Sequence, residues 1–267
     1  MHIAAGAGAF HAKGALVVLD RAYVAVKVNA HFPGNPQRRG LPTIQGAVLL
    51  FDAADGSLLA VLDSIEITTR RTAAATVLAS RYLARADSSR VAICGCGEQG
   101  RAQLAALAQV FRLDGATASD VDAMQAQRFA TDMRMLGLEI AVASDVRQAT
   151  RDSDIIVTAT SAQTPFLDSD CVSAGTFVAA VGADSPHKNE IAGELLAASK
   201  VVADVLAQCV VMGDLGHAID AGLMSPADVH AELGDLVVGR RSGRTTAEEI
   251  TVFDSTGVAI QDAASAA

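Results

Sequence analysis

Six residues, Gly95-Cys96-Gly97-Glu98-Gln99-Gly100, form a G-x-G-x-x-G pattern. In that spacing the first glycine permits a tight turn and the second lets the backbone approach a pyrophosphate. The third lets a helix pack closely on a strand. The pattern has meaning only between a strand and a helix. Here the apolar run Val91 to Cys94 precedes it, and a helical face of Leu104, Leu107, Ala108 and Phe111 follows. A helix starting at Glu98 and Gln99 would offer free N–H groups and a positive dipole end to phosphates. An acid ~20 residues beyond such a loop holds the ribose hydroxyls of NAD. Asp120 stands at that distance from Gly100, at the end of the next strand-like run. An arginine there would instead suit the 2′-phosphate of NADP, so the expected cofactor is NAD.

Further along, AAVGADSPHKNE holds Asp184 two residues after an apolar run ends at Gly182. From the residues alone Asp184 is either the cap of a following helix or a proton carrier, with His187 and Lys188 placed at that helix start. Thr158, Thr160 and Ser161 end another apolar run, where doubly wound sheets bind ligands. Lys27 interrupts the β-branched strand AYVAVKVNA, an unusual place for a lysine unless it has a partner or faces water. Arg71 lies on a helical stretch, and a guanidinium fork there would match two carboxylate oxygens. Arg70 is assigned to the solvated side. His11 and Lys13 alternate onto one strand face, as a surface pair or as part of a site.

These residues are carried by three regions. Residues 1 to 87 read as short strands ending in a helix, with a hairpin at Val48 to Asp63 turning on Asp55-Gly56 and a helix from Thr68 or Thr69 to Ala84. Residues 88–205 alternate strand and helix, including a helical 122–136, which predicts a doubly wound parallel sheet. Residues 206–267 read as helical to about Glu232, then end in EEITVFDSTGVAIQDAA. The expected fold class is α/β, a Rossmann domain inserted in a second α/β domain.

Composition narrows the partners. The 267 residues are 51% apolar with a net charge of −9. Such a balance supports a sizeable core and argues against nucleic acid, whose phosphates demand concentrated Lys and Arg. No apolar run reaches the ~18 residues of a membrane helix, and no secretory signal is visible. Cys94 and Cys96 flank one glycine, too close for a usual zinc pair, so no metal site is expected. The four cysteines fit a reducing cytoplasm.

Several stretches together resemble the ornithine cyclodeaminase/mu-crystallin family: VAVKVNAHFPGNP, GLPTIQG, SIEITTRRTAAA, CGCGEQG, TATSAQTP, VGADSPHKNE and FDSTGVAIQDAA. They run in the family's order over nearly the whole chain. The resemblance implies an NAD-binding Rossmann domain at 88–205, a substrate and dimerisation domain made of 1–87 and 206–267, and a homodimer. Lys27 would hold the carboxylate or carbonyl of the substrate, and Arg71 its carboxylate. Asp184 would be the acid/base, with Thr256 and Gly257 in a loop against the nicotinamide. Family members also carry a helical segment before the point matching Met1, often ending in a substrate-binding arginine. The activity implied first is cyclodeamination of L-ornithine to L-proline with release of ammonia. Alternatives are an amino-acid dehydrogenase, a cyclic imine reductase, or a non-catalytic binding protein like some mu-crystallins.

Overall fold

The computed structural model describes the chain from residue 1 to 267, apart from the side chains of Pro36 and Gln37. Three strands open it, β1 (His2–Ala5), β2 (Gly8–Val18) and β3 (Ala22–His31), followed by helix α1 (Asn35–Arg39), β4 (Ile44–Asp52), β5 (Leu58–Asp63) and α2 (Ser64–Leu83). Alternation then sets in: β6 (Arg90–Cys94), α3 (Glu98–Leu107), β7 (Gly115–Ser119), α4 (Ala123–Asp132), β8 (Ile140–Val142), α5 (Val146–Thr150), β9 (Ile155–Thr158) and β10 (Phe177–Ala180). After α6 (Gly193–Ala197) and β11 (Lys200–Ala203) come α7 (Leu206–Met212), α8 (Asp214–Asp220), β12 (Ala231–Glu232), α9 (Leu233–Val237), β13 (Thr251–Asp254) and α10 (Ala259–Ala266).

The chain divides into two compact units, one of residues 1–71 with 258–267, the other of 72–257. The smaller unit is a five-stranded antiparallel sheet in the order β1-β2-β3-β4-β5. Its hairpin β4/β5 turns where Asp55-Gly56 predicts it, with Gly56 at φ 78° and its N–H bonded to the Asp52 carbonyl at 2.9 Å. Period-two alternation sends Tyr23, Ala25, Val48 and Leu50 to one face, where they are buried with Ala263 of α10. Helix α2 begins earlier than Thr68. Asp63 caps it, its Oδ1 accepting the N–H groups of Ile65 (2.7 Å) and Glu66 (3.3 Å).

The larger unit is an eight-stranded sheet in the order β12-β11-β13-β10-β9-β6-β7-β8. Every pairing in it is parallel. The inner strands β9, β10 and β13 are buried throughout, as parallel strands covered on both faces must be. The chain runs from β6 outward to β7 and β8, then returns to β9 on the other side of β6. That reversal is the switch point at which such sheets bind ligands. The expected doubly wound fold is present, and along the chain it interrupts the smaller unit.

The boundaries differ from expectation. They fall at 71/72, inside α2, and at 257/258 rather than near 87 and 205. Residues 206–257 join the parallel sheet because TVFD is a wholly buried strand inserted between β10 and β11. The helical reading of 206–232 holds for α7 and α8 but not for the stretch after Asp220. The reading of 122–136 holds as α4 followed by a 3-10 turn at Met133–Leu136, with Asp122 as the cap. Among the described residues, no helix is long and apolar enough to cross a membrane.

Candidate functional site

The glycine loop lies at the carboxyl end of β6. Gly95 has φ 102°, and a Cβ there would come within 2.5 Å of the Ala159 carbonyl. A Cβ on Gly100 would collide with the Gly95 carbonyl, so both positions require glycine for steric reasons. Gly97 is different: a Cβ on it would meet nothing within 4 Å. It is also the N-cap of α3 and supplies no side-chain cap. Glu98, Gln99 and Gly100 are therefore the first turn of a helix without a side-chain cap, beside an open backbone. This cradle fits a dinucleotide pyrophosphate. Asp120, at the end of β7, accepts the Cys96 N–H at 2.8 Å and the Asp122 N–H at 2.9 Å. It is tied to the glycine loop itself and does not cap α4. Cys96 is inert: burial pushes its thiol up to about 12.

The loops after β9, β10 and β13 are held by buried carboxylates that sequence reading missed. Glu190 accepts the Thr158 hydroxyl (2.7 Å), the Thr160 hydroxyl and N–H (2.6 Å each) and the Gly182 N–H (2.9 Å). It thereby joins the turns after β9 and β10. Thr158 is wholly buried with its hydroxyl given to Glu190, whereas Ser161 is exposed. Asp204, at the end of β11, accepts the Ser255 hydroxyl (3.1 Å), the Thr256 hydroxyl (3.2 Å) and the Gly257 N–H (2.7 Å). Gln208 donates to the Thr256 Oγ1 at 2.6 Å. Gly257 has φ 72°, and the loop turns there.

Two more acids lie beneath. Asp214 Oδ1 accepts the N–H groups of Glu190 (2.6 Å) and Ile191 (3.0 Å), and Asp254 Oδ2 accepts that of Leu215 (3.0 Å). Asp214 Oδ2 and Asp254 Oδ1 are buried without a hydrogen-bond partner. Burial lifts the Asp254 carboxyl to about 7, with the Asp204 and Glu190 charges adding to it. Burial and the Asp254 and Glu190 charges raise Asp214 well above the ordinary carboxylate value. Glu190 is also raised by burial, its hydroxyl and amide donors pulling the other way.

Asp184 caps nothing. No helix starts between it and Gly193. Its side chain is 56% exposed, and its Oδ1 lies 2.6 Å from Lys188 Nζ, which also donates to the Gly182 carbonyl at 3.2 Å. His187 and Lys188 are accordingly in a loop and not at a helix start.

In the smaller unit, Lys27 and Arg71 come together. Lys27 is 3% exposed and Arg71 8%. Lys27 Nζ donates to Thr68 Oγ1 at 3.1 Å and lies 2.7 Å from Asp262 Oδ2, an ion pair off the line of a hydrogen bond. Arg71 donates from Nε to Asp262 Oδ1 (3.1 Å) and from Nη1 to Gln261 Oε1 (2.9 Å). Neither bond uses Nη2. Burial lowers the Lys27 amine to about 8, with Arg71 and Lys13 pushing the same way and Asp262 opposing them. Lys13 stands directly opposite Lys27 in the β2/β3 register, and His11 opposite Asn29. Arg70 is exposed and pairs with Glu66, one turn away on the same helix. Among the described residues, no group of three or more His, Cys, Asp or Glu is arranged to hold a metal ion.

Known proteins share this construction. An alanine dehydrogenase of Archaeoglobus fulgidus is 40% identical over 243 residues, covering 91% of this chain and 74% of that one. A solved archaeal alanine dehydrogenase, a dimer with bound NAD, superimposes with a TM-score of 0.92 at 36% identity, covering 100% of this chain and 81% of the other. The Δ1-pyrroline-2-carboxylate reductase of Thermococcus litoralis, solved with NADH and L-proline, gives 0.88 at 32% identity over 96% of this chain and 85% of its own. The family model for ornithine cyclodeaminase and mu-crystallin matches residues 7–267, and with the glycine loop and the motif order this places the chain in the ornithine cyclodeaminase/mu-crystallin family.

Proposed function

We propose that the protein is an NAD-dependent oxidoreductase of small amino acids and their imines. The observation that carries this reading is the buried pair of cations Lys27 and Arg71, whose fork and ammonium suit a carboxylate, in a chain that also has a dinucleotide cradle. The bound nicotinamide would supply hydride exchange at the substrate's α-carbon. Lys27 and Arg71 would hold the carboxylate and so fix which carbon reacts. Asp184 would take a proton from, or return one to, the substrate nitrogen or an attacking water. Asp120 would hold the ribose hydroxyls, and its charge would repel a 2′-phosphate. The Gly95–Gly100 loop would seat the pyrophosphate, with Thr160, Ser161, Thr256 and Gly257 at the nicotinamide end. Thr158 would act indirectly, through Glu190.

A dehydrogenase or reductase is preferred to a cyclodeaminase because the similar proteins named above carry out net redox chemistry. Cyclodeamination of L-ornithine stays as the second reading, supported by the family's own description. A homodimer is supported by the outer face of the five-stranded sheet. There Leu16, Val18, Val28 and Val61 are exposed, with Val26 and Leu49 half-buried among them. Four buried, unpaired cysteines suit the cytoplasm.

One assay separates the readings. The protein is incubated with NAD+ and L-alanine or L-ornithine, and with NADH and cyclic imines, while NADH, ammonia and proline are followed together. Stoichiometric change in NADH supports the oxidoreductase. Proline and ammonia without lasting NADH would support the cyclodeaminase. Cofactor binding without turnover of any substrate would point to a binding protein.

A further inference from the structure

Lys27 and Arg71 reach the same carboxylate from different elements, β3 and α2, and that carboxylate belongs to neither. Asp262 sits on α10, 191 residues from Arg71, and gives one oxygen to each cation. Its neighbour Gln261 takes the remaining bond from Arg71 Nη1. The next residue, Ala263, is wholly buried among Tyr23, Ala25, Val48 and Leu50, so the carboxylate cannot swing away without lifting the helix.

We propose that Asp262 is a positioning residue: through Lys27 it keeps an ammonium charged, and through Arg71 it turns the Nη2 edge toward the incoming substrate carboxylate. The proposal rests on the reading of Lys27 and Arg71 as the carboxylate clamp and adds the C-terminal helix to it. Lys27, Arg71 and Asp262 by themselves sum to one positive charge, and Lys13 opposite Lys27 adds a further cation, so the cluster favours an incoming carboxylate. Without Asp262 the buried Lys27 would face the like charges of Arg71 and Lys13 with no anion between them, which favours loss of a proton from the lysine. The groups packed around Lys27 are Lys13 from β2, Arg71 and Thr68 from α2, Asp262 from α10, and Val48 opposite it on β4. Among these described groups Asp262 supplies the anion.

The test uses the full chain. Lysines are labelled with 13C at Cε and titrated by NMR. The sequence holds four, Lys13, Lys27, Lys188 and Lys200, so Lys27→Arg identifies the signal. In the unmodified protein Lys27 should titrate near 8. In Asp262→Asn its midpoint should fall by about one pH unit or more, and the alkaline limb of kcat/KM should move with it. In Asp262→Glu the charge stays but the aim is lost, so the Lys27 midpoint should hold while KM rises several-fold and kcat changes little. A Lys27 midpoint in Asp262→Asn equal to the unmodified protein's overturns the proposal, as does an unchanged KM in Asp262→Glu. Should Asp262→Asn not fold, Asp262→Glu decides alone. The NMR titration needs no substrate, so a failure of the enzyme reading leaves the charge role of Asp262 separately judged.

Discussion

Asp184 Oδ1 lies 2.6 Å from Lys188 Nζ, and no helix begins within reach for it to cap. The structural work of the side chain is therefore one partly exposed ion pair, which is worth little to stability. Asparagine at this position keeps the shape and loses the ability to accept a proton. Asp184→Asn should leave the melting temperature and NADH affinity near normal and lower kcat by the ~10²–10⁴ of lost general acid–base catalysis. Steady-state kinetics beside a thermal melt checks this. Unchanged turnover would hand the proton to another group, Lys27 first.

Lys27→Met and Arg71→Met should each raise KM sharply or abolish turnover while NADH binding persists. On the proposed reading both residues would hold one substrate carboxylate, so the double variant should be less impaired than the two single effects combined. A double-mutant cycle in kcat/KM measures this, and additivity would separate the two side chains into independent sites.

The hairpin, the glycine loop and its flanking elements were legible because their signals are local. Asp55-Gly56 is turn chemistry, and G-x-G-x-x-G reads in six residues. Lys27 stood out as a charge in an apolar strand. Its partner did not, because Asp262 meets it through a chain reversal that leaves no mark in spacing. Glu190 lies inside VGADSPHKNE, and Asp254 and Asp262 inside FDSTGVAIQDAA, yet nothing in a sequence says that an acid will be buried. The second domain boundary was misplaced for a related reason: β13 enters the sheet between β10 and β11, far from its neighbours along the chain.

Asp120 gives a prediction on cofactor choice. NAD(H) should bind more tightly than NADP(H), and Asp120→Ala should narrow that gap mainly by weakening NAD(H). The glycine loop should also loosen, since the Cys96 N–H loses its acceptor. Fluorescence titration with both reduced cofactors measures the ratio. Tighter NADPH binding to the unmodified protein would contradict the role given to this acid.

Alkaline loss of substrate binding should follow Lys27. Its folded value of about 8 is below the ordinary lysine value, so the charge needed for the clamp is present below pH 8 and lost above it. KM should therefore rise with pH through that point. Folding has the opposite sign: the unfolded chain holds a proton there that the folded chain releases, so this lysine's cost to stability falls as pH rises past 8.

Asp254 should show itself in stability. Its folded value of about 7 exceeds the ordinary carboxylate value, so between the two the folded chain keeps a proton that the unfolded chain has lost. The contribution of this group to stability then falls as pH rises through that window. Asp254→Asn, which still accepts from Leu215, should melt close to the unmodified protein in mild acid and above it in mild alkali. Parallel curves at all pH values would mean that Asp254 titrates normally.

The central claim is hydride exchange at the α-carbon of an amino acid, and an isotope tests it most directly. The protein is given NADH deuterated at C4 of the nicotinamide, on either face in turn, with Δ1-pyrroline-2-carboxylate or with pyruvate and ammonia, and the product is weighed by mass spectrometry. Proline or alanine carrying one deuterium at C2 from one of the two cofactors is the predicted result. Product without deuterium from either cofactor, or no product from any imine while NADH binds tightly, would contradict it.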